Sequence, residues 1–113
     1  METVMPRELR KVIFSHNELQ AALVNYLLHS GRSMPNRPID RLEIAEGPAL
    51  VTIFFQSSDP NEVYKWPLRQ EEVAAALIRY CGQFNIPLPR AAKKRLQPDN
   101  GNLALIFSLD HRA

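Results

Sequence analysis

A chain of 113 residues, 45% hydrophobic and 23% charged, has room for one domain with a core and too little for two, and its ordinary composition excludes disorder throughout. The formal net charge of +2 lacks the excess typical of a dedicated nucleic-acid binder, and a single cysteine excludes an internal disulfide or a multi-cysteine zinc site. METVMPRELRKV has no apolar stretch like that of a secretory signal, and no apolar run approaches the length of a membrane span, so a cytoplasmic setting with no membrane partner is expected.

The first patterned run, RKVIF at 10–14, reads as a short edge strand. Ser15 and Glu18 then form the S-x-x-E pattern of a capping box, which predicts a helix starting near His16. Leu19, Ala22, Leu23, Tyr26 and Leu27 recur at the spacing of one helical face, and Gly31 marks the stop. A proline-marked connection leads into IDRLEI and ALVTIFFQ, two strands around Glu46-Gly47. In the second of these, Val51, Ile53 and Phe55 share one sheet face and Leu50, Thr52 and Phe54 the other.

The pattern then repeats. EVYKWPL is another short run, which Pro67 confines to a sheet edge or a strand end. Val73, Ala76, Leu77, Tyr80 and Cys81 form a second helical stripe. Arg69 stands where a side-chain cap is wanted, but Glu71 and Glu72 suit the positive end of the helix dipole, and IPLP supplies the stop. AAKKRLQ and NLALIFSL flank Asn100-Gly101, a strong hairpin signal. Leu103, Leu105, Phe107 and Leu109 alternate onto one face, with Ala104, Ile106 and Ser108 opposite.

Shifted by 54 positions, the two halves align without a gap and are identical at Lys11/Lys65, Glu18/Glu72, Ala21/Ala75, Ala22/Ala76, Leu23/Leu77, Tyr26/Tyr80, Pro35/Pro89, Arg41/Arg95, Leu42/Leu96 and Gly47/Gly101. The expected architecture is a single α+β domain over 1–113, an internal duplication of a β-α-β-β unit with pseudo-repeats at 10–59 and 64–113. Both helices are expected on one face of a mainly antiparallel sheet. A ferredoxin-like sandwich shares that layout with a different strand order.

The segment after each helix is basic. Arg90, Lys93, Lys94 and Arg95, with Arg32, Arg37 and Arg41 from the matching segment, read either as a site for phosphates or acidic partners or as an ordinary charged edge strand. Lys94 alternates away from Lys93 and Arg95, and no aromatic residues interleave with the cations, which favours the edge strand. Cys81 continues an apolar stripe and reads as a buried small hydrophobe, as Tyr26 and Tyr80 read as core residues. His16, His29 and His111 show no ligand spacing, so no metal is expected. No phosphate loop, nucleophile elbow or zinc-protease motif occurs, so no catalytic residue is nominated and no cofactor is expected.

A sheet covered on one side should be polar on the other, yet Leu50, Phe54 and Ile106 make the second face half apolar. A cover is therefore expected, either the N-terminal arm around Val4 and Met5 or a second copy of the chain. The functional expectation is a small non-catalytic binding or assembly module that forms a homodimer or takes another protein partner. The alternative is a nucleic-acid or phosphate-ligand binder using the basic turns, and an enzyme of unknown reaction ranks third.

Overall fold

The structure, a computed structural model, describes residues 6–47, 49–90 and 92–110. Val4, Met5 and His111 lie outside these residues. The element order is β1 (Arg7–Phe14), α1 (His16–His29), β2 (Ile39–Ile44), β3 (Ala49–Phe55), β4 (Tyr64–Arg69), α2 (Gln70–Gln83), β5 (Lys93–Asp99) and β6 (Asn102–Asp110).

Local chemistry sets both helices. Ser15 Oγ accepts from the Glu18 amide at 3.3 Å, while Glu18 Oε1 accepts from the Ser15 amide at 3.0 Å, so two orphan donors of the first turn of α1 are satisfied reciprocally. These bonds to Ser15, through its backbone first and its hydroxyl second, hold the Glu18 carboxyl below the usual carboxylate range. No side chain caps α2 at Arg69. It ends earlier than the proline signal implies. Asn85 adopts φ 56°, and the amide of Ile86, the first residue of IPLP, bonds back to the Cys81 carbonyl at 2.8 Å, a Schellman-type stop that closes before Pro87.

The helices bury matching stripes: Leu19, Ala22, Leu23 and Leu27 in α1, and Val73, Ala76, Leu77 and Cys81 in α2. They run antiparallel. Arg79 Nε and Gln83 Nε2 each reach Asn25 Oδ1 at 3.3 Å, and Arg32, just beyond α1, meets Glu72 in the first turn of α2 at 2.7 Å.

Where a single sheet is expected, the strands form two antiparallel three-stranded sheets, ordered β1-β6-β5 and β2-β3-β4. The reason lies in the pairing of each half's first strand. β1 joins β6 of the far half, and β4 joins β3 of the near half, so each helix connects a strand of one sheet to a strand of the other. The registers correspond closely. Leu105 lies between Val12 and Leu96, and Ile53 lies between Trp66 and Leu42. The flanking residues are offset by 54 in each case and the central ones by 52, because the second hairpin turn is shorter. Asp99 pairs with Asn102 across Asn100 and Gly101, both with positive φ, whereas the Ala45 amide bonds the Leu50 carbonyl across four residues. Pro67 in β4 and Pro98 in β5 both sit on edge strands, where a missing amide breaks no ladder.

Phe14, Leu103, Leu105 and Phe107 from the first sheet and Val51, Ile53, Phe55 and Leu68 from the second join both helical stripes in one buried cluster. Tyr26 and Tyr80 pack against it, and Tyr80 meets Phe14 edge-on at 5.9 Å. Among the described residues no helix is long and apolar enough to cross a membrane.

Candidate docking surface

The face of each sheet turned away from the core cluster is built by strand alternation. In the β1-β6-β5 sheet, Leu9, Lys11 and Ile13 lie opposite Ser108, Ile106 and Ala104, which in turn lie opposite Lys93, Arg95 and Gln97. One edge strand thus interleaves Leu9 and Ile13 with Arg7 and Lys11, and the other carries Lys93 and Arg95 followed by Gln97 and Asp99. Leu9 is 68% exposed and Ile13 49%.

Four cations, Arg7, Lys11, Lys93 and Arg95, meet two carboxylates on this face, Asp99 and Asp110. Lys11 pairs with Asp99 at 3.1 Å and Arg7 with Asp110 at 3.9 Å. Lys93 and Arg95 have no ion-pair partner among the described residues; Arg95 Nη1 donates only to the neutral Gln97 amide oxygen at 3.1 Å. Lys94 faces Phe107 and points to the helix side, as alternation requires. Arg90 is exposed in the loop after α2.

The matching arginine of the other sheet is differently placed. Arg41 donates to Asp40 at 2.8 Å and to Glu43 at 3.2 Å, while its guanidinium lies 4.1 Å over the Phe54 ring. Asp40, then Glu43, pushes the Arg41 guanidinium above its ordinary range. Arg37 lies 3.9 Å over Tyr64 and donates to the Gln56 carbonyl at 3.3 Å, and Tyr64 donates to Glu62 at 2.6 Å. Arg41, Gln56 and Tyr64 border an open cleft of about 430 Å³ whose lining includes Asp40, Asp59 and Glu62. The two basic segments therefore belong to different sheets, and Arg37 and Arg41 are engaged by their neighbours.

The apolar residues expected on the second face fare differently. Leu50 is only 2% exposed and belongs to the core cluster, because the β3–β4 register shifts between Ala49 and Val51 and breaks the alternation there. Phe54 is half-buried beneath Arg41. Ile106 is 7% exposed between its cross-strand neighbours Lys11 and Arg95. The accessible apolar surface comes instead from Leu9 and Ile13. Their alternation is visible in RELRKVIF, but it reads as an outer face only once β1 is known to pair with β6.

Cys81 is fully buried, and burial pushes its thiol above the ordinary range, away from the thiolate a nucleophile needs. His16 bonds the Gly101 carbonyl, tying α1 to the second hairpin turn, and His29 bonds the Asn25 carbonyl at 2.9 Å. No cluster of three metal-capable side chains occurs among the described residues. Compared with known proteins, the chain matches no family, no curated protein and no solved structure.

Proposed function

We propose that the chain is a pair of fused β-α-β-β units, over 10–59 and 64–113, that works as a non-catalytic binding module and docks its partner on the outer face of the β1-β6-β5 sheet. The duplication reading rests on the equal spacing of the helices, their matching buried stripes and the reciprocal exchange of first strands. The docking reading rests on one observation: the accessible Leu9–Ile13 stripe shares a face with Lys93 and Arg95, two cations without carboxylate partners among the described residues. Apolar area gives the affinity of such a surface, and the charges select and orient what lands on it. Homodimerisation through this face would set the cationic edges of two copies into one interface, where like charges oppose association, so a different partner fits better.

Anilinonaphthalene sulfonate, an apolar dye with one negative charge, tests the surface without knowledge of the partner. It should bind the native protein, with near-ultraviolet circular dichroism unchanged, and Leu9→Ser/Ile13→Ser should remove most of that binding. Val63→Ser, an exposed apolar change beside the other sheet, should not. Native protein that leaves the dye unbound, or binding lost only with Val63→Ser, refutes this reading.

A further inference from the structure

Resting on that reading, we infer that the occupant of the β1-β6-β5 face is an acidic amphipathic helix of another protein. Three strands at the usual spacing place the outer two about 10 Å apart, about the width of one helix with its side chains. The two edges differ: on β1 the exposed Leu9 and Ile13 alternate with Arg7 and Lys11, whose charges are met by Asp110 and Asp99, while on β5 Lys93 and Arg95 have no ion-pair partner among the described residues. The strip between them is low and nearly sealed, because Ala104 is small and Ile106 lies between the Lys11 and Arg95 side chains. A helix laid along the strands can set apolar residues over β1 and carboxylates over β5.

The cationic edge is specific to this half of the chain. At the positions matching Asp40, Arg41 and Glu43 of β2, β5 carries Lys94, Arg95 and Gln97. One acid has become a lysine and the other a neutral amide, so Arg95 has lost both carboxylates that engage Arg41. Carboxylates supplied by a partner would restore them. A nucleic acid fits less well, since none of the side chains assigned to this face is aromatic and half of its cations already have carboxylate partners.

The test is fluorescence anisotropy of a labelled synthetic helix with glutamates on one face and leucines on the other, against the full chain, with oligo-dT as the competing probe. The peptide should bind, and its affinity should fall on raising salt from about 50 to about 200 mM. Lys93→Gln/Arg95→Gln and Leu9→Ser/Ile13→Ser should each weaken it about tenfold, with Arg41→Gln neutral. Amide spectra of each variant report whether the fold is kept. Absence of peptide binding, or binding untouched by both double variants, overturns the inference. Oligo-dT bound more tightly than the peptide and lost with Lys93→Gln/Arg95→Gln makes the face a nucleic-acid surface instead. A dimer in light scattering that Leu9→Ser/Ile13→Ser dissociates makes the occupant a second copy. Without a dimer, dye binding at Leu9 and Ile13 still stands in these cases, and a dimer declares itself in light scattering and by dye binding that appears on dilution to the monomer, so failure of the occupant and failure of the surface are distinguishable.

Discussion

The two sheets are built alike and finished differently. Each has a long central strand, an edge strand leading into a helix, and a second edge strand arriving from a proline-marked loop. The inner sets of their central strands correspond: Val51, Ile53 and Phe55 stand in one register where Leu103, Leu105 and Phe107 stand in the other, all within one buried cluster. Their outer faces do not. On β2-β3-β4 Arg41 is neutralised by Asp40 and Glu43 and covers Phe54; on β1-β6-β5 Lys93 and Arg95 have no ion-pair partner among the described residues, and Leu9 and Ile13 are exposed. The inner faces answer to packing, which tolerates few changes of volume, while outer positions are free to diverge because surface substitutions cost little stability.

The inner-face equivalence is the part most exposed to a large effect. Phe55→Ala and Phe107→Ala should each destabilise the protein by about 3–5 kcal/mol in urea unfolding, with a single cooperative transition in both. A mild effect at either site, or two separate transitions, would break the claim of a common core.

A smaller effect sharpens the difference between the helix starts. Glu18 is held by the Ser15 cap, whereas Glu72 is held chiefly by the hydrogen bond from Arg32, which lowers its carboxyl pKa. A carboxyl lowered on folding stabilises the native state at neutral pH. That stabilisation fades as pH falls from the ordinary carboxylate value of about 4.3 through the lower folded value, where both states become protonated. Glu72→Gln should therefore cost up to about 1 kcal/mol at pH 7, and its difference from the wild type should shrink steadily under acid. A difference that is constant with pH would locate the role of Glu72 in packing instead.

The smallest stability effect belongs to the outer face. Gln97→Glu sets a carboxylate beside Arg95 as Glu43 stands beside Arg41, and it should alter stability by no more than about 0.5 kcal/mol. Dye and peptide affinity should fall together, because Arg95 then has a carboxylate beside it on its own face. Unchanged affinity would mean that the charge difference between the sheets has no bearing on binding.

Much of this scaffold is legible in the sequence, and the limits are physical. Ser15 and Glu18 announce the first helix because a cap is decided within one turn. The buried stripes of both helices follow from spacing alone, as does the inner set of each central strand. Strand partnership is decided by contacts distant in sequence, and nothing in RELRKVIF says that β1 pairs across the chain with β6. IPLP marks the second stop, but the cap itself goes unread because Asn85 takes a left-handed conformation without glycine. Leu50 illustrates a further limit, since a single register shift turns an apparently outward residue into the core. Of the basic residues, Lys93 and Arg95 can be assigned a shared side by alternation, but the engagement of Arg37 by Tyr64 and of Arg41 by Phe54 depends on tertiary placement.

The most direct test of the central claim is amide chemical-shift mapping of the native protein titrated with anilinonaphthalene sulfonate. The account predicts that shifts cluster in β1 around Leu9 and Ile13, in β6 around Ala104 and Ile106, and in β5 at Lys93 and Arg95, leaving Thr52, Phe54 and Lys65 unmoved. Shifts concentrated on the β2-β3-β4 face, or spread evenly over both sheets, would contradict it.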